Sequence, residues 1–291
     1  VTTSAERGRG GGAVAGAEGA KVKVELSGLP ETLLWTLWNR ACEAEHADPV
    51  LADPMAEALV RKLDYPFEKR LGPPHPLFSQ VQGLRSLTFD RAVRQYTERR
   101  PEATVVALGE GLETGFWRVD NGRLRWLSVD LPEAAGLRRA LLPEHPRARV
   151  LARSAADLSW LDEIDAPERG TIVTAQALMM YLRPREVRDI IAACAERLPG
   201  GALVLDSMPR WITRLTREGK IRIGELAIPP MRWSMAPGDR SRLYAVHPRI
   251  TDVRALTMPR GRGVTGRLVR YQHLVPVFRS VSPAVTLLRF A

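Results

Sequence analysis

The stretch 105–130, VVALGEGLETGFWRVDNGRLRWLSVD, constrains the fold more than any other part of this chain. An apolar, β-branched run (Val105, Val106, Ala107, Leu108) breaks into Gly109-Glu110-Gly111, and a second apolar run ends in Asp130, 21 residues after the first glycine. Glycine tolerates positive φ and lets a ligand approach the backbone closely. A carboxylate at the tip of the neighbouring strand can grip the two hydroxyls of a ribose. This is the layout of a nucleotide cradle. Three readings of the turn stand at this point: a site for S-adenosylmethionine, a site for a dinucleotide, and an ordinary strand-to-helix turn. The dinucleotide fingerprint has a third glycine three residues after the second, where helix packs on strand. Thr114 holds that position here, and the next glycine is Gly115. Glu113 would oppose a pyrophosphate, whereas its charge suits a sulfonium and an ammonium.

The surrounding text alternates. Strands are expected at 103–108, 124–129, 148–151, 170–175 and 201–206, and two more near 251–257 and 285–290 can close the sheet. Pro132 opens a helix over 132–141. Pro184 opens another, in which Val187, Ile190, Ile191 and Cys194 recur at i, i+3, i+4, i+7 as a core-facing stripe. Apolar strands alternating with amphipathic helices predict an α/β fold, a mostly parallel sheet with helices on both faces. Its ligands lie at the carboxyl ends of the strands.

The flanking regions read differently. Residues 1–25 are Gly/Ala-rich without periodicity and are expected to form a disordered tail. Residues 26–101 form an N-terminal helical cap. Its first helix, 31–45, sets Leu34, Leu37, Trp38 and Cys42 near one face, and Asp53-Pro54 opens a second helix through Leu63. A Pro/Gly-rich loop over 71–77 precedes a polar helix at 84–100, stopped by Pro101. The core then runs over 102–291. Within it, about 208–245 carries Trp211, Pro229-Pro230-Met231, Trp233 and Pro237 and reads as a lid insertion.

Composition removes several function classes. The net charge of +10 comes from 38 arginines with only 5 lysines. With abundant Ala, Gly and Pro, this usage points to a GC-rich bacterial genome. The basic residues are interleaved with acids and form no dense block, which argues against a nucleic-acid partner. No apolar run approaches the ~20 residues that span a bilayer, and no signal-peptide hydrophobic region follows the N-terminus. Cys42 and Cys194 lie far apart without metal spacing. The expectation is a cytoplasmic protein with reduced thiols and no metal.

Polar residues recur at the other strand ends. Asp130 either binds ribose hydroxyls or caps the helix that Pro132 opens. In Ser154-Ala-Ala-Asp157-Leu-Ser-Trp160, an acid and an aromatic could meet an adenine amino group and shield the base, or form a local turn over a core tryptophan. After 170–175, Gln176 falls where the strand meets a ligand and Tyr181 can point into substrate space, while Leu178, Met179 and Leu182 pack.

Taken in order, TLLWTLWNRACEA with Asp53-Pro54, LRSLTFDRAVR, VVALGEGLETGFWRVDNG, VDLPE, SAADLSW, VTAQALMMYL, PGGALVLDSMPRW and IPPMRW resemble the leucine carboxyl methyltransferase family. That family belongs to the class I S-adenosylmethionine-dependent methyltransferases, and the likeness is to its bacterial branch of O-methyltransferases of aromatic polyketide pathways. It covers roughly 28–291. The resemblance implies a Rossmann-like class I methyltransferase fold, S-adenosylmethionine as cofactor and S-adenosylhomocysteine as product. It implies that Gly109, Glu110, Gly111, Glu113, Asp130 and Leu131 hold the methionine and ribose parts. Asp157 and Leu158 would lie at the adenine and Gln176 beside the cofactor. Arg85, in the LRxxxFD segment, would bind the methionine carboxylate, a task suited to a guanidinium fork, with help from Arg40. Two departures stand out: Ala177 follows Gln176 where glycine is expected, and Glu113 replaces the more usual aspartate.

Methyl transfer from a sulfonium is an in-line displacement, for which an enzyme supplies chiefly proximity and alignment. A carboxylate acceptor is already ionised at neutral pH, whereas a phenol or alcohol needs a base or a lowered pKa. The sequence offers no secure base. His75, His145, His247 and His273 lie in Pro-rich or terminal segments. Tyr181, Asp206, Arg210, Trp211 and Trp233 are candidates to line the acceptor pocket. The expected function is an S-adenosylmethionine-dependent O-methyltransferase acting on a carboxylate or hydroxyl of a small, polyketide-like acceptor. The alternatives are a protein C-terminal carboxyl methyltransferase, a non-catalytic adenosylmethionine-binding protein and, on charge alone, an RNA methyltransferase.

Overall fold

The computed structural model describes residues 21–24, 31–263, 266 and 284–291. The N-terminal part contains Val22–Lys23 (β1), Thr32–Ala44 (α1), Pro54–Lys62 (α2), Leu63–Asp64 (β2), Phe67–Leu71 (α3) and Pro76–Thr97 (α4). Asp53 caps α2 as expected, accepting from the Ala56 N–H at 3.0 Å with Pro54 in the first turn. Helix α4 starts at Pro76, well before the expected 84, because the Pro/Gly-rich loop ends in its own start signal. The His75 side chain accepts from the Leu77 N–H, and Pro76 supplies the first turn.

Strand β1 pairs in parallel with β2, and Val22 packs on the apolar cluster of the cap. Residues 21–24 are therefore part of the cap, which shortens the tail expected over 1–25. The remainder of that expectation (1–20 and 25), the start of the cap at 26–30 and His273 lie outside the described residues.

Strands and helices then alternate: Thr104–Leu108 (β3), Gly115–Val119 (α5), Arg125–Asp130 (β4), Pro132–Leu141 (α6), Ala148–Ala152 (β5), Thr171–Ala175 (β6), Pro184–Arg197 (α7) and Ala202–Ser207 (β7). Next come Arg210–Arg217 (α8), the hairpin of Arg222–Ile223 (β8) and Leu226–Ala227 (β9), and a 3-10 stretch at Pro237–Ala245. Ile250–Leu256 (β10) and Ala284–Phe290 (β11) complete the main sheet, whose order is β10-β11-β7-β6-β3-β4-β5. Strands β10 and β11 pair antiparallel, as do β11 and β7, and the other neighbours are parallel.

Burial follows the pleat of the strands. Val106 and Leu108 of β3 face a core with Val187, Ile190 and Ile191 of α7, while Val105 and Ala107 face Leu84, Phe89 and Val93 of α4 and Phe116 of α5. Both faces are thus covered by helices, and the strands read as continuous apolar runs. A third core joins Leu34 and Leu37 of α1 and Leu59 of α2 to Leu226, Ile228 and Met231 of the inserted segment. The cap and the segment expected as a lid share one apolar interior.

Candidate active site

The chain runs β3, β4, β5 outward in one direction and returns to place β6 on the other side of β3. At such a switch point, the loops after adjacent strands diverge and leave a crevice at their carboxyl ends. A cavity lies there, open to solvent at its mouth and lined by the loops that follow β3, β4, β5 and β6.

Its floor is the glycine turn. Gly109 and Gly111 have φ of 59° and 54°, a conformation that costs other L-residues about 1–2 kcal/mol. A Cβ on Gly109 would lie 2.8 Å from Leu178 Cδ1, and one on Gly111 3.0 Å from Leu33 Cβ. The glycines therefore meet both a backbone and a packing demand. Asp130 faces the turn from the end of β4. Its Oδ2 accepts from the Gly111 N–H at 2.6 Å and its Oδ1 from the Leu131 N–H at 2.8 Å, and each oxygen retains a lone pair for a ligand hydroxyl. Burial pushes its carboxyl above the usual range, against those two hydrogen bonds.

Glu110 is also buried. Its Oε2 accepts from Trp126 Nε1 at 3.1 Å and from the Ser128 hydroxyl, and Arg138 Nη2 lies 3.1 Å away. Its Oε1 is buried without a partner among the described residues. Arg138 also donates to the carbonyls of Gly111 (2.6 Å) and Glu113 (2.8 Å), which holds the loop from the side of α6.

Glu113 is the hub of the site. Its Oε2 accepts from Arg40 Nη1 (2.7 Å), Ser86 Oγ (3.2 Å) and Gln176 Nε2 (3.2 Å), and its Oε1 from Arg118 Nη2 (2.6 Å). Burial works to raise its pKa, but the Arg40 and Arg118 charges outweigh burial and bring it to about 2. Arg40 is similarly committed, donating to Asp53 Oδ2 (3.2 Å), Glu113 and the Leu112 carbonyl (2.8 Å). Arg118 binds Asp53, Asp90 and Glu113. Asp53, Asp90, Arg118 and Arg138 form this network with Glu113, and none of the four was singled out as a site residue from the sequence. The signal for Asp53 was there as a helix cap, a role that it does fill.

Arg85 differs from Arg40. It lines the cavity, its Nη1 donates to Asp206 Oδ2 (3.3 Å), and its buried Nε has no hydrogen-bond partner among the described residues. Gln176 and Tyr181 line the same cavity. Burial pushes the Tyr181 hydroxyl up to about 12, with Arg85 opposing and Asp206 adding to the shift. Tyr181 is thus a neutral phenol at physiological pH.

Several expected residues lie elsewhere. Asp157 turns to the Ser159 N–H at 3.1 Å and toward Arg153, and neither it nor Leu158 lines the cavity. Ser154 and Ala155 line that end instead. Trp160 is fully buried in the core, so it shields no ligand. Arg210 pairs with Asp239 at the surface, Trp211 is 43% exposed, and Trp233 packs against the core beside α7. None of the three lines the cavity, and Asp206 lies behind it, fully buried. Other apolar residues of the inserted segment, among them Ile212, Leu226, Ile228 and Met231, pack on the cap's interior.

The cavity suits S-adenosylmethionine. Positive-φ glycines at its floor, an acid at the ribose position and a buried arginine with a spare donor match the uncharged adenosine and the carboxylate of that molecule. Sheet order and cavity together define a class I S-adenosylmethionine-dependent methyltransferase. The model of the leucine carboxyl methyltransferase family matches residues 34–195, and the chain belongs to that family. A 30% identical relative over 204 residues, covering 68% of this chain and 73% of its own, is the tetracenomycin polyketide synthesis O-methyltransferase TcmP of Streptomyces glaucescens. The S-adenosyl-L-methionine-dependent methyltransferase dpfgK of Gibberella zeae is 30% identical over 185 residues, 59% of this chain and 62% of that protein. The solved apo structure of the methyltransferase SibL superposes with a TM-score of 0.48 at 13% identity, covering 90% of this chain and 69% of that one. The protein is an enzyme whose cofactor is S-adenosylmethionine.

Proposed function

We propose that this enzyme methylates an oxygen of a small, polyketide-like molecule, and that the oxygen belongs to a carboxylate. The observation that carries the choice of carboxylate is the state of the acids around the cavity. Asp90 is paired with Arg118, Glu110 with Arg138, Glu113 with Arg40 and Arg118, and Asp130 is bonded to two backbone N–H groups. These acids are turned to arginine and backbone partners in the cavity wall, so none is offered to an acceptor as a free base, and Tyr181 stays protonated. An acceptor that arrives ionised needs neither. Polyketide-like chemistry is favoured by the likeness to TcmP.

Within this reading, bound S-adenosylmethionine supplies an electrophilic methyl group on a sulfonium. Arg85 holds the methionine carboxylate, Asp130 the ribose hydroxyls, and the Gly109–Gly111 backbone approaches the cofactor without side-chain obstruction. Gln176, fixed by Ser86 and Glu113, borders the methionine end. Tyr181 donates to the acceptor oxygen and, with Leu178 and Leu182, aligns it.

The test uses cofactor labelled in the methyl group, with aromatic carboxylic acids and matched phenols as acceptors. Label is expected in the organic extract and to be released as methanol by mild base, since esters hydrolyse and methyl ethers do not. Base-stable label would move the acceptor to a hydroxyl. Label retained on protein would favour protein carboxyl methylation, and cofactor binding without turnover would leave a binding protein.

A further inference from the structure

We propose that Asp206 is a positioning residue for the cofactor site, clamping the turn that carries Gln176 and steadying Arg85 from behind the cavity. The inference rests on the reading of that cavity as the cofactor site. Asp206 lies near the end of β7, is 0% exposed and forms no part of the cavity wall. Its Oδ1 accepts from the Ala177 N–H at 2.7 Å and its Oδ2 from Arg85 Nη1 at 3.3 Å. A carboxylate buried this deeply is costly, and its two bonds both lead to elements that border the cofactor.

The turn at Ala177 needs such a clamp. Its φ is 55°, in the left-handed region, and Ala166 is the only other non-glycine residue with positive φ among those described. An alanine remains there only where its surroundings over-determine it. Gln176 precedes it directly and donates to Ser86 Oγ (3.1 Å) and Glu113 Oε2 (3.2 Å). If Ala177 relaxed to negative φ, the peptide plane after Gln176 would rotate and draw its amide away from both acceptors. Because β6 and β7 are parallel neighbours, the end of one strand is placed to hold the turn leaving the other.

The experiment compares wild type, Asp206→Ala, Ala177→Gly and the double variant by titration calorimetry. S-adenosylhomocysteine is one probe, and 5′-methylthioadenosine, which lacks the amino-acid end, is the other. Asp206→Ala is expected to weaken S-adenosylhomocysteine at least tenfold and methylthioadenosine less than twofold. Adding Ala177→Gly is expected to recover at least threefold of that loss, because glycine adopts the left-handed turn without help. Such recovery is a coupling between two sites that general destabilisation does not produce. Asp206→Asn keeps an acceptor for the Ala177 N–H but loses the charge that pairs with Arg85, and it is the variant to use if the alanine fails to fold. It is expected to lose three- to tenfold for S-adenosylhomocysteine and less than twofold for methylthioadenosine. Equal loss for both probes, no loss for either, or no recovery by Ala177→Gly would overturn the proposal. Wild-type protein that bound neither probe would instead overturn the reading of the cavity.

Discussion

Arg118 of α5 reaches Asp53 at the start of α2 and meets it at 2.8 Å, with both side chains buried. Through this pair, and through Arg40 between Asp53 and Glu113, the cap is tied to the loop that forms the cavity floor. Cap and cofactor loop are one electrostatic unit. Three carboxylates converge on the Arg118 guanidinium, and its removal leaves Asp90 without its arginine and Asp53 and Glu113 with Arg40 alone. Arg118→Ala is expected to cost about 3–5 kcal/mol in urea unfolding. Arg118→Lys is expected to recover little, because a single ammonium cannot reproduce the fork. A loss under about 1 kcal/mol would show that the network is solvated and energetically idle.

Asp130 separates a cofactor-binding from a merely capping role. Asp130→Ala is expected to weaken S-adenosylhomocysteine about 10- to 100-fold, the loss of one charge-assisted hydrogen bond or slightly more. The comparison is made by calorimetry, with circular dichroism as a check that the fold persists. Affinity within twofold of wild type would remove Asp130 from the ribose.

Ala177 stands where the family resemblance led us to expect glycine, and its φ of 55° gives that expectation a physical basis. Left-handed backbone costs alanine about 1–2 kcal/mol, and the extra unfolded-state entropy of glycine returns about 0.4–1 of it. Ala177→Gly is therefore expected to stabilise the protein by about 0.5–1 kcal/mol, or about 1–3 °C in Tm. A lower Tm would mean that the methyl group packs usefully against the cap.

Glu113 gives stability a pH dependence of known sign. Its folded pKa of about 2 lies below the ordinary 4.5. The stabilisation is therefore fully present above pH 4.5 and is lost as the pH falls toward 2, and its size is about 3 kcal/mol. Glu113→Gln cannot ionise and lacks this contribution. The gap between wild type and variant in urea unfolding is expected to be widest at pH 5.5 and to narrow by pH 3. A gap that is constant with pH would show that the Glu113 charge contributes nothing.

The sheet was legible because its signals are local. Strands at 103–108, 124–129 and 201–206 were apparent from apolar runs, and the observed β3, β4 and β7 match them within a residue or two. The first turns of helix α4 are not legible in the same way, because their buried face is polar. Ser79, Gln80 and Gln82 are buried there, and hydrophobic periodicity does not register a polar buried face. The places of the lid tryptophans are not legible for another reason: an aromatic in a Pro-rich segment looks the same whether it lies exposed, as Trp211 does, or packs on a core, as Trp233 does.

What the sequence by itself determined was the cradle: a strand, a glycine turn and an acid at the next strand's tip, each set by backbone rules that act over a few residues. What only the tertiary structure decided was how the charges pair. Arg40 and Glu113 are 73 positions apart, Arg85 and Asp206 121. Charges attract through space with no regard to chain order, so which arginine is locked into the scaffold and which has a donor to spare emerges only once the cap is packed on the sheet.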